Sequence, residues 1–212
     1  MFGPRSSTYS RRVAAITALG VISALLLSGT AFADVPVDKT LTWNGNFPII
    51  GNLDPITTEI VTTLPSPLTS GSPGSTAFSV HIDAPPLATT GLEEIGAATV
   101  QGTADAWIFV TDPNGTKYVV DAALTIPPTP TPADGQDLVF TASGTVRFPG
   151  AFDTGTATVA IDPDHVTTTL DPKQADGSDT VLGTFNVQLA LDATNPPQDP
   201  MLGQVQIVGS GQ

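Results

Sequence analysis

The sequence predicts an all-β protein: a single antiparallel β-sandwich, immunoglobulin-like or related, of about ten strands after a helical N-terminal signal peptide. Apolar and polar residues alternate with period two through most of residues 34–212. Thr, a β-branched residue that suits strands, accounts for 28 of these 179 residues. Turns rich in Pro, Gly and Asp separate the alternating segments, which is typical of an antiparallel sandwich or barrel.

The N-terminal segment has the three regions of an export signal. Arg5, Arg11 and Arg12 precede an apolar run of 15 residues at 13–27, and small residues follow up to Ala33. This pattern predicts a signal peptide over residues 1–33 and a secreted domain over residues 34–212. An uncleaved membrane anchor is the alternative, although the run is short for a hydrocarbon core of about 30 Å. We expect no membrane span after signal cleavage.

The charge of the predicted mature chain excludes several classes of protein. Residues 34–212 carry four basic and 20 acidic residues, a net charge of −16. This charge excludes an electrostatic nucleic-acid binder and argues against docking on anionic lipid. The chain has no Cys, which excludes disulfides, thiolate zinc sites and Cys nucleophiles.

The strands are predicted segment by segment. The first lie near Leu41 and Trp43, at residues 56–64 and at residues 78–82. The strongest prediction is a hairpin, because residues 100–110 and 118–126 alternate on either side of the turn sequence Asp-Pro-Asn-Gly at 112–115. Later strands are predicted at residues 138–148, 154–161, 166–170, 184–191 and 204–208, with Phe140, Val159, Phe185, Val187, Leu189 and Ile207 in the core.

Helix and linker signals are few. The sequence Thr-Gly-Leu-Glu at 90–93 fits a capping box that opens about two helical turns through Ala98. Two segments rich in Pro, Thr and Ser, residues 64–76 and 125–133, fit stiff connectors between strands or O-glycosylated tracts.

Several segments, in order, resemble an uncharacterised family of secreted actinobacterial β-sandwich domains. They begin with Leu-Thr-Trp-Asn-Gly-Asn-Phe-Pro at 41–48 and Ile-Gly-Ala-Ala-Thr-Val at 95–100. Thr-Ala-Ser-Gly-Thr at 141–145 and Gly-Thr-Ala-Thr-Val at 155–159 follow. The resemblance implies a secreted β-sandwich without an established activity. It also implies two cysteines, at positions that hold Gly45 and Leu189 here.

The residues that could carry chemistry form no recognisable catalytic motif. The only imidazoles are His81, on the polar side of a strand, and His165, in the turn-like sequence Asp-Pro-Asp-His. Both are interpreted as solvated surface residues, and no Gly-x-Ser-x-Gly or His-Glu-x-x-His sequence occurs. We therefore assign no catalytic, cofactor-binding or metal-binding residue and no cofactor.

Weaker patterns leave alternatives open. The Glu residues, Glu59, Glu93 and Glu94, and the many Asp residues could include a pair that hydrolyses glycosides. Asp-rich segments at 162–164 and 171–179 could bind calcium, but Asp is also an ordinary turn residue. The sequon at Asn114 lies in the predicted hairpin turn. Packing in a core or interface is favoured for both tryptophans, Trp43 and Trp107.

The function predicted from these observations is that of a secreted non-catalytic module, structural or binding, at the cell envelope or outside the cell. Its expected partner is an unknown envelope protein or glycan. The alternatives are a secreted hydrolase that uses carboxylates and a calcium-dependent adhesion module.

Overall fold

Ten β-strands and one helix make up the described part of the chain, residues 32–193 and 197–211 of a computed structural model. The predicted signal peptide lies outside these residues, apart from Phe32 and Ala33. The first half contains β1 (Val35–Phe47), β2 (Gly51–Leu64), β3 (Leu68–Thr69), β4 (Gly74–Ala84), α1 (Pro86–Glu94) and β5 (Thr99–Thr111). The second half contains β6 (Lys117–Pro130), β7 (Leu138–Phe148), β8 (Gly155–Lys173), β9 (Phe185–Leu191) and β10 (Met201–Val208).

Eight of these strands close into an antiparallel barrel. The strand order around the wall is β8-β5-β6-β7-β4-β2-β1-β9, and β9 pairs with β8 as well as with β1. The seam that closes the ring is short, since β1 and β9 pair only from Trp43 with Leu191 to Gly45 with Leu189. β10 and β3 extend the sheet beyond β8 at the end of the barrel away from α1.

The prediction of a β-sandwich is therefore wrong, although the all-β class and the number of strands are correct for the described residues. Alternation identifies the buried face of each strand. It does not reveal whether these faces belong to two stacked sheets or to one sheet that curves into a ring. Closure also leaves fewer free strand edges than a sandwich would.

The long strand β8 provides the closure. We expected two strands at 154–161 and 166–170, but one strand of 19 residues spans both. Its first half pairs with β10 and its second half with β9, while β5 runs along the other side of both halves. Gln198, in the segment between β9 and β10, continues the hydrogen bonding of β1 next to the short β1–β9 pairing. Its side-chain amide bonds to both the backbone N–H and the carbonyl of Thr42 at 2.8 Å.

The core fills the inside of the barrel. Trp43, Ile108 and Phe148 are each 1% exposed, and all the predicted core residues are buried except Phe185, which packs against the core from a partly exposed position. About 70 Å³ of empty space remains between apolar side chains. This volume is well below the roughly 300 Å³ at which ligand pockets begin, so side chains fill most of the barrel interior.

Helix α1 covers one end of the barrel, with Ala88, Gly91 and Leu92 on its buried side. It begins at Pro86, four residues before the predicted capping box, because proline is well suited to the first helical turn. The prediction of a cap at Thr90 is wrong: Thr90 lies inside the helix, and its hydroxyl bonds to the Pro86 carbonyl and the Asp134 carboxylate.

The two Pro-rich segments are part of the folded domain. Residues 125–130 continue β6, and the two prolines at 127 and 128 stand at a bulge where Val100 pairs with Thr129 and Gly102 pairs with Ile126. Proline cannot donate a backbone hydrogen bond, so an irregular position suits it. The segment 64–76 contains β3 and its flanking turns. The interpretation as a connector between strands therefore holds for most of the segment 64–76, but it is wrong for residues 125–130, which belong to a paired strand.

Candidate functional site on the outer wall of the barrel

Trp107 lies on the outer face of the barrel wall. On β5, Ile108 and Val110 point into the core, so alternation directs Trp107 outwards. Its exposed fraction is 39%, whereas Trp43 on β1 is 1% exposed. Trp43 therefore packs in the core as predicted, whereas Trp107 does not, and packing of Trp107 in an interface, the other predicted environment, stays a prediction.

A bulge in β8 lies opposite Trp107. Ala106 pairs with Val166 and Ile108 pairs with Ile161, so one residue of β5 faces four residues of β8, 162–165. Bulges of this kind redirect side chains and are frequent near functional sites. The sequence Asp-Pro-Asp-His supplies it, since Pro163 cannot continue the pairing through a backbone N–H.

The bulge places His165 on the indole of Trp107. The ring centroids are 3.8 Å apart and the planes differ by 9°, which is a close parallel stack. Nδ1 of His165 lies 2.6 Å from Oδ2 of Asp162, whose side chain is only 7% exposed, while that of His165 is 47% exposed. The other carboxylate oxygen of Asp162 accepts the backbone N–H of Asp164 at 3.1 Å. Because a carboxylate only accepts hydrogen bonds, the contact fixes the proton of His165 on Nδ1 and orients the ring.

Acidic residues neighbour this stack along the strands and in the register of the sheet. Asp121 on β6 is the register partner of Trp107, and Asp105 lies two residues before it on the same face of β5. Asp164 is exposed in the bulge, where its carbonyl accepts the side-chain amide of Gln188 at 3.2 Å. We refer to Trp107, His165, Asp105, Asp121 and Asp164 together as the outer-wall patch.

An aromatic residue beside the patch already holds a cation. Phe109 follows Trp107 on the same face of β5, and the ammonium nitrogen of Lys117 lies 5.0 Å from the centroid of its ring. Val119, the register partner of Phe109, is 49% exposed. Exposed aromatic and apolar groups on one stretch of wall are the kind of surface that contacts ligands or partners.

A second depression lies elsewhere on the outer wall. It has a volume of about 590 Å³, and hydroxyl groups of β2, β4 and β7 line much of it, including those of Thr63, Ser79 and Ser143. Its lining contains Phe78 and the exposed Val61 but no charged side chain. It therefore lacks the charged side chains that the outer-wall patch carries.

Of the other histidine and glutamate residues considered from the sequence, the structure places only His81 and Glu59 side by side, and none of them lies at the outer-wall patch. His81 is exposed on β4, far along the sheet order from His165, and its register partner is Glu59. Glu93 and Glu94 are exposed at the end of α1. Exposure of both histidines confirms their interpretation as surface residues, but the partners of His165 were not foreseen.

The hairpin turn at 112–115 is present as predicted. Asp112 accepts the backbone N–H groups of Asn114 and Thr116, and Gly115 has a φ of 82°. The side-chain amide of Asn114 donates to Asp153 at 2.6 Å. Burial, together with Asp112 and Asp153, raises the pKa of Tyr118 at the start of β6.

The Asp-rich segments are occupied by local hydrogen bonds and ion pairs. The Lys173 ammonium lies 2.9 Å from Asp171 and also contacts Asp179. The bond to Lys173 lowers the pKa of Asp171, while Asp179 and then Asp171 raise the pKa of Lys173. Hydrogen bonds from Ser178 lower the pKa of Asp176. Across residues 32–193 and 197–211, no three His, Asp or Glu side chains are grouped so as to hold a metal ion.

No helix in the described residues has the length and apolar character needed to cross a membrane.

Residues 42–203 match a family described as "Family of unknown function (DUF6801)". The match covers most of the chain, and the protein belongs to this family. No curated protein and no solved structure matches the chain.

Sequence reasoning missed the outer-wall patch as a site, although a signal for it was present. The sequence Asp-Pro-Asp-His at 162–165 interrupts the alternation between two strand segments, which marks an irregularity in the wall. The pairing of β5 with β8 was needed to place this irregularity opposite Trp107.

Proposed function

We propose that this protein is a secreted, non-catalytic binding module of the cell envelope or extracellular space, and that it binds its partner through the outer-wall patch. The N-terminal sequence pattern supports export. The barrel interior is filled by side chains, which leaves the outer wall as the surface for recognition.

The exposed stack of Trp107 on His165 is the observation that carries this proposal. Trp and other aromatic residues dominate the binding energy of interfaces because they bury a large area with few rotatable bonds. Here the indole is held by the imidazole at 3.8 Å, and the imidazole is held by the buried Asp162. A side chain already fixed in place loses little conformational entropy on binding, so the arrangement is suited to recognition.

Co-sedimentation of the purified protein with envelopes of its own source tests the proposal. We expect saturable binding of the wild type and a loss of affinity of about 30-fold or more for Trp107→Ala, because truncation of an interface hot spot, a class in which Trp is enriched, costs at least about 2 kcal/mol. His165→Ala should bind weakly as well, because it removes the support of the indole. The matched control is Val61→Ala, which truncates another exposed apolar side chain, on β2.

Two outcomes would contradict the proposal. One is the absence of saturable binding by the wild type, and the other is unchanged binding by Trp107→Ala while Val61→Ala behaves identically. Repeating the assay with a chelator tests the calcium-dependent alternative, in which binding by the wild type would disappear.

A further inference from the structure

We infer that the outer-wall patch recognises an arginine-bearing segment of a partner protein. This inference rests on the proposed function and names the chemistry of the partner.

The charges of the patch favour a cation. Asp121 is the register partner of Trp107, Asp105 lies two residues before it on the same face of β5, and Asp164 precedes His165 in the bulge. Asp162 contacts the His165 ring. Complementary charge steers a partner and suppresses binding of the wrong sign. An anionic polymer would meet carboxylates on several sides of Trp107, in a chain whose residues 34–212 carry a charge of −16.

The protein's own lysines are engaged elsewhere. Lys39 pairs with Asp199 at 3.7 Å, and Lys173 pairs with Asp171 and Asp179. Lys117 is the lysine closest to the patch along the wall, and it lies over Phe109 rather than over Trp107. None of these three ammonium groups therefore neutralises the carboxylates next to Trp107.

The contact of Lys117 with Phe109 is an example, on the same outer wall, of a cation held by an aromatic ring. A cation at 5.0 Å from an aromatic centroid is within the range of a cation–π interaction. Trp is a stronger partner than Phe for such a contact, and Trp107 lies two residues from Phe109 on the same face. Trp107 remains 39% exposed despite its stack with His165, so part of the indole is open to a second group.

Arginine fits this surface better than lysine. A guanidinium is planar, stacks on aromatic rings and donates two parallel hydrogen bonds to a carboxylate. Asp121 is directly across from Trp107 in the register, which places the Cβ atoms of the two residues about 5 Å apart and both side chains on the same face of the wall. One arginine side chain can thus contact the indole and a carboxylate at the same time.

The test measures binding of an arginine-rich hexapeptide to the purified protein through the fluorescence of Trp107, with a lysine hexapeptide and a neutral Gly-Ser hexapeptide as comparison probes. Trp43 is buried and provides a steady background. We expect saturable binding in the order arginine, lysine, neutral. Asp121→Asn should weaken arginine binding about fivefold or more through loss of a close charge pair. Trp107→Ala lacks the fluorescent probe, so its peptide binding is measured by calorimetry. This variant should show no preference for the arginine peptide over the lysine peptide.

A control variant with the same change in net charge distinguishes a specific arginine site from general electrostatic attraction to an acidic protein. Asp137→Asn removes one exposed carboxylate on the loop before β7 and changes the net charge by the same amount as Asp121→Asn. It should alter binding by less than about twofold, because screening weakens distant charges. Equal losses for the two variants, or unchanged calorimetric binding by Trp107→Ala, would overturn the inference. Thermal midpoints of all variants establish that they are folded.

Competition in the envelope assay distinguishes this inference from the proposed function. If Trp107-dependent envelope binding persists in the presence of the arginine peptide but a neutral oligosaccharide displaces it, the partner is a glycan and the inference is wrong while the function stands. If the arginine peptide binds at Trp107 but the protein does not bind envelopes, the proposed envelope function is wrong while the inference that the patch recognises arginine stands.

Discussion

Gly45 on β1 lies directly opposite Leu189 on β9, in the short seam that closes the barrel. A Cβ atom on Gly45 would stand 2.8 Å from Leu189 Cδ2 and 2.8 Å from Val187 Cγ1. A Cβ atom at this position would therefore require the side chains of Leu189 and Val187 to shift or to be replaced. These are also the two positions at which the family resemblance implies cysteines.

Replacing both residues, Gly45→Cys with Leu189→Cys, should produce a disulfide across the seam. Register partners in an antiparallel pair have Cα atoms about 4.5–5.5 Å apart, within the range that disulfides need. The bond would link residues distant in sequence, and we expect it to raise the free energy of unfolding by about 2–5 kcal/mol. Urea denaturation with and without reductant measures this gain. Leu189→Cys alone is the control, and free thiols in the oxidised double variant would contradict the prediction.

The seam also depends on Gln198. Its side-chain amide bonds to the backbone N–H and carbonyl of Thr42 and to the carbonyl of Asp192, as a strand would. Gln198→Ala would leave the backbone N–H of Thr42 without this partner, whereas the Thr42 carbonyl would keep its bond from the backbone N–H of Asp192. We expect a cost of about 1–3 kcal/mol. Chemical denaturation should show this loss, whereas Gln204→Ala, which truncates an exposed glutamine on β10, should change stability little. Equal stability of the two variants would show that Gln198 is dispensable.

The limits of sequence reasoning appear at this seam. Alternation along β7 predicted residues 138–148, which are the observed bounds, because each strand carries its own pattern. Closure depends instead on contacts such as Gln198 with Thr42, which are 156 residues apart and leave no local pattern. The same applies to the candidate site: Asp162 and His165 are neighbours in sequence, but Trp107 joins them only through the pairing of β5 with β8.

Gly102 tests the close approach of β5 to β8, where it is the register partner of Leu170. A Cβ atom there would lie 1.9 Å from the carbonyl oxygen of Thr169, which is backbone and cannot rotate away. We expect Gly102→Ala to destabilise the fold by about 2 kcal/mol or more through displacement of paired strands. Gly209→Ala is the matched control, since its nearest neighbour is a Thr154 methyl group at 4.0 Å. Thermal unfolding of both variants checks the prediction, and a Gly102→Ala protein as stable as the control would refute it.

The ion pair of Asp171 with Lys173 should make stability depend on pH in the acid range. The hydrogen bond from Lys173 is the main cause that lowers the pKa of Asp171, with further bonds from Gln101 and Thr184. A carboxyl whose pKa is lower in the folded state stabilises the fold above its unfolded pKa of about 3.9, and this contribution is lost as the pH falls through the folded value. Asp171→Asn should therefore be less stable than the wild type at pH 7, and the difference should shrink below about pH 4. Urea denaturation from pH 7 to pH 3 measures this difference, with Asp137→Asn as a control that should stay close to the wild type throughout. A difference between wild type and Asp171→Asn that stays constant over this range would show that the ionised form of Asp171 does not stabilise the fold.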